Sequence, residues 1–146
     1  MVWSLRAQTR MNRETTHFLN VDLDIHSKSN LQPLVTAMGK KVHVLFVGRI
    51  KRTYQVHLEL WESGLSESAD SVILGFCALI RALPKPAIEL WKAAKARDFN
   101  IGVQAAMQPH SHEITLAAEA VRAIAEVNAR IVLTVYAPSG ENEQGT

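Results

Sequence analysis

From Leu19 to His26 the chain alternates apolar and polar residues without a break. Successive side chains of an extended strand point to opposite faces. The run therefore predicts a half-buried strand with Leu19, Val21, Leu23 and Ile25 on one face and Asn20, Asp22, Asp24 and His26 on the other. The next apolar set, Leu31, Leu34, Val35 and Met38, has the i, i+3, i+4, i+7 spacing of one helical face, with Ser29 or Asn30 to cap it. Pro33 is tolerated in the first turn and Gly39 supplies the stop. Residues 42–47 predict a short apolar strand, 48–53 a turn, and 54–61 a second alternating strand. In that second strand Tyr54, Val56, Leu58 and Leu60 face one way, and Gln55, His57, Glu59 and Trp61 the other.

Residues 62–67 predict a loop, with Ser66 or Ser68 as the N-cap of a helix whose apolar face is Val72, Ile73, Phe76, Leu79, Ile80 and Leu83. Pro84 ends that helix, and Pro86 suits the first turn of the next. The latter places Ile88, Trp91 and Ala94 inward and Lys92, Lys95 and Arg97 outward. Residues 99–105 alternate again, and 112–117 predict a paired strand after a turn at Pro109. A helix over 118–128 carries Val121, Ile124 and Ala125 inward, with Asn128 as a left-handed stop, and residues 130–136 form a last β-rich strand.

The predicted order is β-α-β-β-α-α-β-β-α-β. Alternating strands argue for a single α+β domain, a largely antiparallel sheet with about four helices packed on one face. The order reads the same in both directions, which suggests two α+β halves sharing one sheet, although no residue-level repeat accompanies it. The domain spans 17–137. Residues 1–16 read as a flexible N-terminal extension, in which either Met1 or Met11 can be the native start, and 138–146 as a disordered tail.

Composition changes this picture little. A chain of 146 residues, 47% hydrophobic and 21% charged, can bury a core without staples. The net charge of +2 owes much to Arg6, Arg10 and Arg13, ahead of the first strand, so the body is near neutral and nucleic acid is not an expected partner. The single Cys77, among Ile73, Phe76 and Ile80, reads as a buried small hydrophobe. No apolar run reaches a membrane span, and a cytoplasmic location is expected.

A succession of features resembles domain-of-unknown-function family 4279, a group of mainly bacterial proteins. They are the helix closing at Met38-Gly39, the paired strands ending at Trp61, and the helix end Leu79-Ile80 to Leu83-Pro84. The late pattern Val121, Ala125, Asn128-Ala129-Arg130-Ile131 and Val135-Tyr136 also fits. The short Gly-containing turn after the first strand is missing here. The resemblance implies an α+β fold and no chemistry.

The strongest candidate site is the polar face of the first strand. Asp22, Asp24 and His26 can meet His57 and Glu59 if the two strands pair, giving carboxylates and imidazoles on one surface. A solvated sheet face, which alternation alone requires, is the simpler account. A second candidate adds His110 and His112 to Asp22 and Asp24 as metal ligands, but neither HExxH nor a spaced cysteine pair accompanies them. A third is the basic turn with Arg49, Lys51 and Arg52, near Lys40 and Lys41, which could contact phosphates or merely keep a strand edge soluble. No nucleophile elbow, phosphate loop or dinucleotide fingerprint occurs, Ser63-Gly64-Leu65-Ser66 included. The expected role is a noncatalytic binding or protein-interaction module without a cofactor. Its partner is a protein or small molecule, with a homodimer through an edge strand or the polar face as one form. A metal-assisted hydrolase or lyase and a nucleic-acid accessory protein are the alternatives.

Overall fold

The computed structural model describes residues 15–61 and 68–138. The readings of residues 1–14 as an extension, of 62–67 as a loop with Ser66 as a cap, and of 139–146 as a disordered tail lie outside the described residues. The first strand, β1 (His17–Ser27), buries Val21, Leu23 and Ile25 completely on one side. Asn30 then accepts the Gln32 N–H at 2.9 Å as α1 (Gln32–Met38) begins. Gly39 ends α1 at a φ of 68°, which only glycine adopts freely, and a 3-10 turn (Gly39–Lys41) leads into β2 (Val42–Ile50). A two-residue turn, with Lys51 left-handed, returns the chain as β3 (Thr53–Leu60).

Ser68 caps α2 (Ala69–Arg81) by accepting the Ser71 N–H, while the Ser71 hydroxyl accepts the Ser68 N–H. The next helix is α3 (Lys85–Ala93), followed by β4 (Ala96–Gln104), α4 (Ala118–Glu126) and β5 (Arg130–Tyr136). The strands form one sheet in the order β2-β3-β1-β4-β5, antiparallel throughout except for the parallel β4–β5 pair. The fold is thus the expected single α+β domain, with a mostly antiparallel open sheet and four α-helices among the described residues. The helices cover one face, where Phe76 and Phe99 meet at 5.9 Å between ring centres among Val21, Leu23, Leu58 and Ile73. Trp91 is buried too, and its indole N–H donates to the Val127 carbonyl at 2.9 Å, tying α3 to the end of α4.

Several expectations are corrected in detail. Residues 112–117 do not form a strand. Their alternation is real, since Ile114 and Leu116 rest on the core, but β5 already occupies the free edge of β4. The end of this segment is held instead by Asp70, whose carboxylate accepts the Ala117 N–H at 3.1 Å. The palindromic order disappears with that strand. The buried face of α4 is Ala120, Ala123 and Ile124, with Val127 beyond it, while Val121 and Ala125 are exposed. Small alanines bring this helix close to α2, and a valine is left at the rim. Arg97 lies in β4 rather than on a helix. Its guanidinium donates to the carbonyls of Trp91, Ala94 and Asn128 and so closes the ends of α3 and α4.

Leu19 does not join the core face either. Register shifts between Phe18 and Asn20 on β1, and a second shift between Val44 and Phe46 interrupts β2. A Cβ placed on Gly102 would lie 3.7 Å from that of Leu19, which puts Leu19 on the polar side, and Phe18 packs against the core in its place. Cys77 is buried as expected. Burial pushes its thiol up to about 11, with nearby Arg81 and Glu126 acting in opposite directions.

Two substitutions test this distribution of burial. Phe76→Ala should cost about 3–5 kcal/mol in urea unfolding, because the cavity lies between α2 and β4. Leu133→Ala, on the exposed outer strand, should change stability by less than about 0.5 kcal/mol. Equal costs would mean that β5 is covered.

Candidate binding site

The sheet register writes out the polar face as rows of side chains. One row runs His43 (β2), Glu59 (β3), Asp22 (β1), Asn100 (β4) and Val132 (β5). The next runs Phe46, His57, Asp24, Asp98 and Arg130, and a third holds Gly48, Gln55, His26 and Ala96. The five residues expected to meet, Asp22, Asp24, His26, His57 and Glu59, are therefore brought together. Directly opposed residues of antiparallel strands have Cβ atoms about 5 Å apart, so Asp22 faces Glu59 and Asp24 faces His57 at side-chain range.

The two aspartates have different surroundings. Asp24 is satisfied on both oxygens. His57 Nδ1–H donates to Oδ1 at 2.7 Å, and the Asn100 amide donates to Oδ2 at 3.3 Å. Thr134 extends the chain by donating to Asn100 Oδ1 at 2.7 Å, which fixes the orientation of that amide. Asp98 is likewise neutralised, by a two-pronged contact with Arg130 at 2.8 and 2.9 Å. Among the described residues Asp22 has no such partner: its Oδ1 is buried without a hydrogen bond, and so is Oε2 of Glu59, whose residue is only 5% exposed. Burial, with the negative charges of Glu59 and Asp24 adding to it against a smaller opposing effect of His57, pushes the Asp22 carboxyl up to about 7.

Aromatic side chains flank this acid pair. The bulge in β2 turns Phe46 onto the polar face, where its ring lies 5.9 Å from that of His57. His26 meets His57 edge-on at 6.3 Å, and Trp61 packs 5.9 Å from His43, whose strand position adjoins Glu59. Sequence reasoning missed Phe46, Asn100, Thr134 and the Asp98–Arg130 pair. The polar positions of β4 were visible as the complement of Phe99, Ile101 and Val103, but their partners depend on register. Nothing in the sequence marked the bulge that reverses Phe46.

The other candidates do not assemble. His110 and His112 are exposed in the loop after β4, which is pinned to the start of β1 by Thr16 N–H to the Gln108 carbonyl at 2.7 Å. Thr16 and Asp22 are separated by about 20 Å of extended strand. Among the described residues no group of three or more His, Cys, Asp or Glu is arranged to hold a metal ion. The basic turn is divided as well. Lys51 and Arg52 are exposed at the hairpin, and Arg49 lies over the Tyr54 ring at 5.7 Å. Lys40 and Lys41 stand at the opposite end of β2, about 25 Å away.

No protein-family model matches the chain, and no curated protein or solved structure matches it either. Among the described residues no single helix is long and apolar enough to cross a membrane. The pair α2 and α3 together reach that length and composition, but the chain bends by 119° between them, and Ile73, Phe76 and Trp91 are buried in the core.

The raised Asp22 carboxyl has a definite consequence for stability. The folded protein holds this proton to about pH 7, whereas the unfolded chain releases it near the ordinary 3.8. The folded state therefore loses stability as pH rises from about 4 to 7, and the loss is constant above that. Asp22→Asn removes the titration. Its stability relative to the natural protein should increase across that interval by no more than about 4 kcal/mol and then level off. Urea midpoints measured from pH 4 to 8 provide the check; a difference independent of pH would refute the burial argument.

Proposed function

We propose that this chain is a noncatalytic binding module that receives a positively charged N–H donor, an ammonium or guanidinium group, on the polar face of its sheet. The observation that carries the reading is the pair of buried carboxyl oxygens, Asp22 Oδ1 and Glu59 Oε2, which lie on directly opposed residues and have no partner among the described residues. A buried acceptor without a donor costs about 1–3 kcal/mol. A ligand donating to both would recover that cost and supply the missing charge.

Selectivity follows from the surroundings. Asp24 is occupied by His57 and Asn100, and Asp98 by Arg130, so among the described residues of this face the acid pair is the place left for an incoming cation. Phe46 and Trp61, beside His57 and His43, offer aromatic surface to the carbon skeleton of an amine or a basic side chain. The partner in this reading is a small amine or a protein presenting a lysine or arginine. The resemblance to family 4279 and a cytoplasmic location belong to the same proposal; neither adds a reaction.

The test compares n-butylammonium and guanidinium with tetramethylammonium, which carries equal charge and no N–H, at matched ionic strength. The first two should raise the melting temperature saturably, as ligands of the folded state do, and tetramethylammonium should not. Glu59→Gln should weaken binding about tenfold. Equal responses to all three cations would remove the reading, as would turnover of a defined substrate abolished by changing Asp22 or Asp24.

A further inference from the structure

A second, chemically opposite site lies at the corner where β3 ends beneath α2. There a cavity of about 530 Å³ is lined by Leu60, Trp61, Gly75, Ala78 and Leu79, with Lys40 and Lys41 beside them. That volume and an apolar lining with few charges are those of small-molecule sites. We propose that this cavity binds a monoanion with an apolar body, a carboxylate of medium chain length or with an aromatic ring.

The construction of the cavity supports that chemistry. Gly75 and Ala78 lie on one face of α2 and line the cavity, Ala78 with only a methyl group and Gly75 with no side chain. A Cβ on Gly75 would stand 2.7 Å from Leu60 Cδ2, so α2 comes as near to β3 as Leu60 permits. Leu60 and Leu79 supply aliphatic walls, and Trp61, half exposed, an aromatic one. The main-chain N–H of Trp61 donates to the Lys41 carbonyl at 2.8 Å, which holds the backbone at Lys41 beside that wall. Among the described residues neither lysine has a carboxylate within ion-pair distance, and both are exposed. An apolar cavity beside two exposed ammonium groups complements a ligand with one anionic end and one apolar end. A neutral hydrocarbon would leave the lysines unused, and a cation would be repelled by them.

Isothermal titration calorimetry with octanoate, 1-octanol and octylammonium tests this. Octanoate should bind one to one, with octanol weaker and octylammonium undetectable. The exposed double substitution Lys40→Gln/Lys41→Gln should weaken octanoate about tenfold while leaving octanol unchanged. Ala78→Phe, which projects a ring into the cavity, should abolish both. The Trp61 indole N–H resonance should move with octanoate in the natural protein. The proposal is overturned if octanoate does not saturate, if octylammonium binds as well, or if the lysine substitutions leave octanoate affinity unaltered. Because Lys40→Gln/Lys41→Gln leaves the core untouched, misfolding of Ala78→Phe does not remove the test.

Discussion

The structure depends on complete burial of one face of β1. Val21, Leu23 and Ile25 are sealed beneath the helices at the centre of the sheet, with β3 on one side and β4 on the other. A shift of pairing by one residue would carry all three to the opposite face and bury aspartates in their place. Three wholly buried aliphatic side chains contribute on the order of 5–9 kcal/mol, comparable to the net stability of a domain. No register error at this strand is therefore affordable. The same alternation that holds the core also places Asp22 and Asp24 together on the far side.

What happens on that far side is decided by neighbours. Asp24 and Asp22 are two residues apart on the same strand, yet one is enclosed by donors and the other faces a second carboxyl. The difference comes from β3 and β4: His57 and Asn100 reach Asp24, while Glu59 stands opposite Asp22. An acid pair of this kind lowers its mutual repulsion by keeping a proton, which is why burial and a neighbouring charge act in the same direction on Asp22. The site is thus a local departure from the full pairing found around it.

The two edges of the sheet are also unlike. β2 is interrupted by a bulge at Leu45, carries Arg49 near its end and leads into a turn with Lys51 and Arg52, features that discourage pairing with another strand. β5 has neither a bulge nor a charge after Arg130, and Ile131, Leu133 and Val135 are exposed along it. The helices cover the middle of the sheet and stop short of this strand.

Hydrophobic periodicity alone determined the strand over 19–26, the helices ending at Gly39 and near Pro84, the hairpin partner with His57 and Glu59, and the α+β class. These are local properties: burial on one face imposes a period of two or of 3.6, and glycine, proline and serine mark where it stops. The same logic misread 112–117, because alternation reports that one side is buried and not that a strand edge is available. It also placed Val121 and Ala125 inward on α4, where the size of Ala120 and Ala123 governs the approach to α2. Register, bulges and the order of strands follow from contacts between residues far apart in the chain. Only the tertiary structure could bring Phe46 beside His57, divide the basic residues between the two ends of β2, and set Asp22 opposite Glu59 with a buried oxygen of each unpartnered among the described residues.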